Sequence, residues 1–373
     1  MKRFVNIILA TLLLLLYTSI GISAAEPLTS GGAAVLMDGG SGRVLFEHNA
    51  DQRMPMASTT KILTALVALE NGKLDDLVVV PPEAQGVEGS SIWLSAGETH
   101  TLENLLYALM LRSGNDAATA IAFHIGGSIE GFAAMMNEKA RSIGAVNSNF
   151  VNPHGLHHDQ HYTTARDLGL ITVHAMSNPD FVKIVSSRYR TIPWEGHEWD
   201  RAMQNKNKLL WQYEGANGVK TGYTKKAGRC LVSAAKRDEL QIVAVVLNCG
   251  PMFEDSRRLL DYGFENYTNH NIIRQGETLA TLPVKGGKPE EVPLIAAKGY
   301  SMALGKQEED KIRVVLKHPD FSEAPIAAGE QLGSADIYLD DRKMCEIPLC
   351  AAESVKKKSF WDFILKLLDY WRK

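Results

Sequence analysis

The stretch from Met56 to Gly72, MASTTKILTALVALENG, constrains the fold more than any other. Ile62, Leu63, Leu66, Val67 and Leu69 recur at helical spacing and cover a wide face, so the helix must bury much of its surface. Asn71-Gly72 ends it with residues that tolerate a left-handed turn. Lys61 stands at its mouth, three residues after Ser58, where burial begins. A lysine carried into an apolar cleft loses hydration and with it part of its preference for the charged form. Residues three apart on a helix share a face, so a neutral Lys61 could take the proton of Ser58, whose hydroxyl is otherwise a poor nucleophile. A helix start also aims free backbone N–H groups at the position where an oxyanion would form.

Spacing alone proves little, because S-x-x-K occurs at Ser58–Lys61, at Ser233–Lys236 and at Ser354–Lys357. The second falls on an expected strand, where positions three apart face opposite sides, and the third lies in a basic linker. Only the first is followed by Ser113-Gly114-Asn115 and Lys220-Thr221-Gly222, two motifs that each occur once. Their order and wide separation fit a site assembled from a helix, an inter-helix loop and a sheet edge.

At 373 residues the chain can hold two domains, and 45% hydrophobic with 22% charged residues is an ordinary globular balance. Residues 1–25 combine a basic start, the apolar run VNIILATLLLLLY and small residues at Ser23, Ala24 and Ala25, which reads as a secretory signal peptide. Loss of Lys2 and Arg3 takes the net charge from −3 to −5, and no basic patch offers itself to a nucleic acid. The cysteines, Cys230, Cys249, Cys345 and Cys350, are too few for a disulfide scaffold; a Cys230–Cys249 bridge is conceivable across a hairpin, but buried thiols are the favoured reading.

Two short strands flank Asp38–Gly42, helices are expected at 101–112, 115–125, 129–143 and 165–176, and strands return from 218, including a hairpin at 229–236 and 241–248. This order implies an α+β domain over 26–270, an antiparallel sheet packed against a helical cluster. Residues 271–355 read as a small all-β domain. The tail 356–373, KKKSFWDFILKLLDYWRK, gathers Phe360, Trp361, Phe363, Ile364, Leu367, Leu368, Tyr370 and Trp371 on one side. A helix over 359–373 would be about 22 Å long, too short to span a bilayer and suited to lying in the headgroup region.

The three motifs together resemble those of the penicillin-binding proteins and serine β-lactamases. Within that group MASTTKILTALVALE, LLYALMLRSGNDAATAIA, FVNPHGL and GVKTGYTKKAGRCLVSAAKR are similar to the low-molecular-mass D-alanyl-D-alanine carboxypeptidases. The resemblance covers about residues 26–270 strongly, and the β domain and amphipathic tail are also features of that family. It implies Ser58 as the acylated nucleophile, Lys61 as its proton acceptor and Ser113 as a proton relay. Asn115 would bond the substrate's peptide backbone, Lys220 and Thr221 its terminal carboxylate, and Gly222 would let the substrate strand approach. The backbone N–H groups of Ser58 and Tyr223 would form the oxyanion hole; some relatives carry histidine at the Tyr223 position, so only a backbone role transfers. The substrates implied are peptidoglycan stem peptides ending in D-Ala-D-Ala, with β-lactams as covalent inhibitors, at the outer face of the cytoplasmic membrane. Neither metal nor cofactor is needed. A β-lactamase of the type that deacylates through a glutamate in E-x-x-L-N is disfavoured, since no glutamate occurs between Asn147 and Asp167. A D,D-endopeptidase would use the same residues, and a silent scaffold would have no reason to keep Lys61 or Ser113. His154, His157, His158 and His161 lack a helical metal-binding frame and read as structural loop residues. Asp116, Arg166 and Asp167 read as helix-start and loop anchors, and Trp93 as either a cleft or a core residue.

Overall fold

Period-two alternation in the strands sends side chains into two separate cores, and this organises the first domain. In β1 (Ala33–Asp38), Ala33, Val35 and Met37 enter one core while Ala34 and Leu36 enter the other. β9 (Leu240–Leu247) repeats the pattern, with Val243, Val245 and Leu247 on the first side and Ile242, Ala244 and Val246 on the second. A sheet apolar on both faces must be covered on both. The computed structural model describes residues 27–361 and Ile364. The expected signal peptide at 1–25, and the tail helix beyond Trp361 apart from Ile364, lie outside the described residues.

The five-stranded sheet has the order β2-β1-β9-β8-β7, with β2 at Val44–His48, β7 at Ala216–Thr224 and β8 at Gly228–Arg237. All its neighbours are antiparallel, and β7, which carries Lys220-Thr221-Gly222, is an edge strand. One face is covered by a helical cluster that comprises α1 (Lys61–Asn71), α2 (Leu102–Tyr107), α3 (Asn115–Gly126), α4 (Ile129–Ser142), α5 (Ala165–Met176) and α6 (Pro179–Ser186). Side-chain caps begin α2 at Thr101, α4 at Ser128, α5 at Thr164 and α6 at Asn178. A single turn, α7 (Leu209–Gln212), precedes β7, and α8 (Met252–Asn266) covers the opposite face, contributing Leu259 and Leu260. Every residue of α1 from Lys61 to Ala68 is buried, so this helix is central to the domain rather than amphipathic on its surface.

The helix expected over 101–112 is α-helical only to Tyr107; Ala108–Arg112 widens into a π-turn, and Ser113 leaves it in the left-handed conformation with φ of 63°. Two short pairs, β3 (Leu77–Val79) with β4 (Thr99–Thr101) and β5 (Tyr189–Ile192) with β6 (Arg201–Gln204), border the cluster.

The junction expected at 270/271 falls inside a strand. α8 runs directly into β10 (Tyr267–Ile273), which pairs with β14 (Tyr300–Gly305), so no linker separates the two parts of the chain. The remaining strands are β11 (Thr278–Lys285), β12 (Gly287–Lys288), β13 (Glu291–Ala296), β15 (Ile312–Lys317), β16 (Ser322–Glu323), β17 (Gln331–Leu339) and β18 (Arg342–Ala351). They enclose a core of their own, with Leu282, Leu294, Ile337 and Ile347 among its members. Lys356 and Lys357, expected in a linker, form β19 against β12. The β region is tied to the first domain by Arg43, which ion-pairs with Glu308 and donates to the Ala303 carbonyl, and by Asp38, which accepts the Ala303 N–H. Cys230 and Cys249 are buried free thiols; Cys345 and Cys350 are also free.

Candidate functional site

Ser58 lies in a 3₁₀ turn, Ala57–Thr60, that leads into α1. A 3₁₀ turn eclipses positions three apart, which sets Ser58 directly beside Lys61. Ala57, the first residue of this turn, has φ of 50°, an uncommon conformation for a residue with a Cβ. Two glycines let other segments close on it. A Cβ on Gly155, whose φ is +87°, would come within 2.0 Å of the Ala57 carbonyl oxygen; a Cβ on Gly222 would come within 3.1 Å of the backbone nitrogens of Ser58 and Thr59. Gly222 therefore admits the turn that carries Ser58 to the edge strand, where the sequence suggested the approach of a substrate.

Lys61 is completely buried. Its Nζ is 3.2 Å from Ser58 Oγ, 2.7 Å from Asn115 Oδ1 and 2.5 Å from the His154 carbonyl oxygen. Asn115 Nδ2 donates to the Glu88 carbonyl at 2.5 Å, which fixes the amide with its oxygen towards the lysine. Both polar atoms of Asn115 are thus engaged by the protein, whereas the sequence suggested a bond to substrate. Desolvation holds the Lys61 pKa well below the ordinary lysine value, and the charges of Lys220 and Lys206 add to the effect while Asp116 opposes it.

Lys220 is 1% exposed, and its Nζ donates to the Thr221 carbonyl at 3.0 Å. Burial first, and the charge of Lys206 second, lower its pKa to about 7. Ser113 is 4% exposed, and its Oγ has no hydrogen-bond partner among the described residues. Tyr223 is 65% exposed and follows Gly222 on the open edge of the sheet. Ser58, Lys61, Ser113, Asn115, Lys220, Thr221, Gly222 and Tyr223 thus come from the 3₁₀ turn, α1, the segment after the π-turn, α3 and β7. The other two S-x-x-K pairs stand elsewhere: Ser233 is buried inside β8, and Ser354 donates nothing to Lys357 but accepts from the Ala328 N–H.

The site also includes groups that no motif announces. The carbonyl of His154 reaches Lys61, and the ring of His161 anchors the same loop. His161 Nδ1 accepts from Val151 N–H, so Nε2 carries the hydrogen and donates to Thr60 Oγ1 at 2.8 Å, and Thr60 passes its own to the Ala57 carbonyl. Desolvation lowers the pKa values of His154 and His161 to about 3, so both are neutral rings. Lys206 donates to Ser90 Oγ at 3.1 Å, and the Ser90 carbonyl accepts the Asn115 N–H at 2.7 Å. Asp116 Oδ2 accepts from Ser91 Oγ, Ile92 N–H and Leu94 N–H, fixing the segment that borders Asn115. Asp167 anchors Asn147 and Ser148, and Arg166 pairs with Glu47 and Asp51 at the surface. Trp93 is 73% exposed.

A family model described as D-alanyl-D-alanine carboxypeptidase matches residues 21–250, and one described as the C-terminal domain of penicillin-binding protein 5 matches residues 267–357. The D-alanyl-D-alanine carboxypeptidase DacF of Bacillus subtilis is 32% identical over 388 residues, covering all of both chains. DacC of Escherichia coli is 31% identical over 367 residues, covering 92% of this chain and 90% of its own. The crystal structure of penicillin binding protein 5 from Haemophilus influenzae superposes with a TM-score of 0.74 at 27% identity, over 90% of this chain and 100% of the other. With its three motifs gathered around one buried lysine and both family models matched in order, the chain belongs to the D-alanyl-D-alanine carboxypeptidase family of serine peptidases.

Proposed function

We propose that the protein removes the terminal D-alanine from peptidoglycan stem peptides ending in D-Ala-D-Ala, through an acyl-enzyme on Ser58. One observation carries this reading: the hydrogen bonds of Lys61. A neutral amine has two N–H groups and one lone pair. Its two N–H groups are matched by Asn115 Oδ1 and the His154 carbonyl, which leaves the lone pair facing Ser58 Oγ at 3.2 Å. The pair is then a hydroxyl beside a base rather than beside a cation.

In the first half-reaction Ser58 Oγ attacks the carbonyl carbon of the penultimate residue as its proton moves to Lys61. The backbone N–H groups of Ser58 and Tyr223 stabilise the oxyanion. The tetrahedral intermediate collapses, the C–N bond breaks, and D-alanine leaves with a proton relayed by Ser113 from Lys61. Water then attacks the ester, Lys61 accepts its proton, and Ser58 is restored. Lys220 and Thr221 hold the terminal carboxylate throughout, while the open edge of β7 offers backbone groups to an extended peptide. A β-lactam, which presents a carbonyl and a carboxylate to the same groups, acylates Ser58.

The test is chemical mapping. Incubation with benzylpenicillin is expected to add one equivalent of mass on the peptide containing Ser58, and a D-Ala-D-Ala peptide is expected to release stoichiometric D-alanine. An adduct elsewhere, or no D-alanine, overturns the reading.

The protein is further proposed to act outside the cytoplasmic membrane, resting on it through its tail. No helix among the described residues is long and apolar enough to cross a bilayer, and Phe360 and Trp361 are each 72% exposed where the tail begins. A chain ending at Lys358 keeps β19 and is expected to lose co-flotation with anionic vesicles that the full mature chain shows. Equal flotation of the two would refute the anchor.

A further inference from the structure

Beside the catalytic groups, the β5–β6 hairpin carries an aromatic cluster that the proposed reaction does not use. Its tip reads Pro193-Trp194-Glu195-Gly196-His197-Glu198-Trp199-Asp200. The His197 ring lies tilted between two indoles, its centroid 4.2 Å from Trp194 and 5.5 Å from Trp199. Trp199 is 62% exposed and Trp93, on the facing segment, 73%. Large aromatic side chains held in water in this number need a reason.

They are held, not loose. Arg201, 5% exposed, donates to the carbonyls of Ile92, Trp93 and Pro193, ion-pairs with buried Glu98 at 2.9 Å, and lies 4.6 Å beneath the Trp194 ring. Glu98 also contacts His100, and hydrogen bonds from Arg201 and His100 bring its carboxyl to about 2 against the opposing effect of burial. Trp93 has φ of 64°, a conformation rare for an aromatic residue, fixed by its N–H bond to Ser91 Oγ. A buried ion pair that clamps two surface segments together fixes geometry more than it adds stability.

Between the segments lies a pocket of about 220 Å³, lined by Trp93, Trp194, Ser91, Met203, Arg112 and Asp200 among others. It is smaller than the ~300–1,000 Å³ of a pocket for a whole drug-sized ligand, which suits a single ring. Arg112 and Asp200 make no hydrogen bond or ion pair among the described residues, so a donor and an acceptor of opposite charge flank the aromatic walls. That pairing suits an uncharged ligand with polar groups of both kinds on an apolar ring. Two of its lining residues adjoin the proposed catalytic groups along the chain: Arg112 immediately precedes Ser113, and Ser91 follows Ser90, whose carbonyl holds the Asn115 N–H.

We infer that this pocket is a subsite for the glycan of the substrate, taking one N-acetylated amino-sugar ring with its C–H face on Trp194 and Trp93 and its acetamido and hydroxyl groups on Asp200 and Arg112. The inference rests on the proposed hydrolysis of stem peptides, which are joined to such sugars, and adds to it that the enzyme reads the sugar as well as the peptide.

The test compares kcat/KM for D-alanine release from a free pentapeptide and from the same pentapeptide bearing its disaccharide, in the wild type, Trp194→Ala and Trp93→Ala, with melting curves to verify folding. The wild type is expected to favour the disaccharide form by about 10-fold, or about 1.4 kcal/mol, and both variants to bring the ratio towards one. Quenching of tryptophan fluorescence by N-acetylglucosamine oligomers is expected in the wild type and lost in Trp194→Ala. A wild-type ratio of one, or a ratio unchanged in both variants, overturns the subsite and points to an aromatic patch for another partner. Failure to release D-alanine from either substrate overturns instead the hydrolase reading on which it rests.

Discussion

Replacing Lys61 by arginine is expected to slow acylation by penicillin by about 10²–10⁴-fold, the usual contribution of a positioned general base. Arginine keeps the positive charge and the hydrogen-bond donors of a lysine but stays protonated in proteins. If the Lys61 role were only to attract the substrate or to fill space, the arginine variant would retain much of the rate. Guanidinium is larger than ammonium, and Lys61 is completely buried, so Lys61→Met provides the second arm. Methionine conserves volume, cannot accept a proton, and leaves Asn115 Oδ1 and the His154 carbonyl without their donor. Both variants are expected to show the same loss, read as the second-order rate of labelling by a fluorescent penicillin on protein shown to be folded by circular dichroism. Labelling within threefold of the wild type in either folded variant would remove Lys61 from the proton path.

How the structure depresses the Lys61 pKa explains why the local motif was necessary and insufficient. Desolvation is the leading cause, and it comes from α1 being buried through Ala68, which the apolar pattern after Lys61 announces. Its proton acceptors' geometry comes from elsewhere. Asn115 is positioned by Glu88 and Ser90, and the His154 carbonyl by a loop seated on Gly155 and pinned by His161. The Ser58–Lys61 pair is local in sequence; its surroundings are set by residues 27 to 159 positions away from Lys61.

The legible parts of the chain were those where side chains carry the signal. S-x-x-K, S-x-N and K-T-G fix their chemistry by residue type, capping residues start α4 and α5 where expected, and β8 and β9 follow their apolar runs. The groups that escaped are backbone groups or local deviations. A carbonyl is the same on every residue, so nothing in His154 or Glu88 marks its oxygen as part of a site. The π-turn at Ala108–Arg112 uses ordinary helix formers, and no residue type in it marks Ser113 for the left-handed conformation it adopts. The anchor of the β5–β6 hairpin carries no sequence signal for a related reason: Arg201, of a residue type mostly exposed, is buried by partners contributed from residues 92–98.

Lys220 supplies the second large effect, and its sign can be tested by pH. With its pKa near 7 in the free enzyme, Lys220 loses its charge on the alkaline side of neutrality, while Lys61, also depressed, must lose its own proton to act. The pH profile of kcat/KM for a carboxylate-bearing peptide is therefore expected to be bell-shaped, with the alkaline limb centred near pH 7 and set by Lys220. Lys220→Arg keeps its charge and is expected to move that limb above pH 9. Lys220→Met is expected to lower kcat/KM at neutral pH by roughly 10- to 150-fold, the value of one charged hydrogen bond at about 1.5–3 kcal/mol. The same residue makes an opposite prediction for stability. Between about pH 7 and the unfolded lysine value near 10.4 the unfolded chain binds the extra proton, so the wild type gains on Lys220→Met by roughly 1.4 kcal/mol per pH unit. Below pH 7 both states of the lysine are charged and the difference is constant, with the wild type at its greatest disadvantage. Thermal melts of the two proteins across pH 6–10 are expected to converge as pH rises, and melts that run parallel would show that Lys220 keeps an ordinary pKa and that burial has not tuned it. Activity and stability thus draw on one desolvated amine in opposite directions: the cation proposed to bind the substrate carboxylate is the form that the folded protein least tolerates.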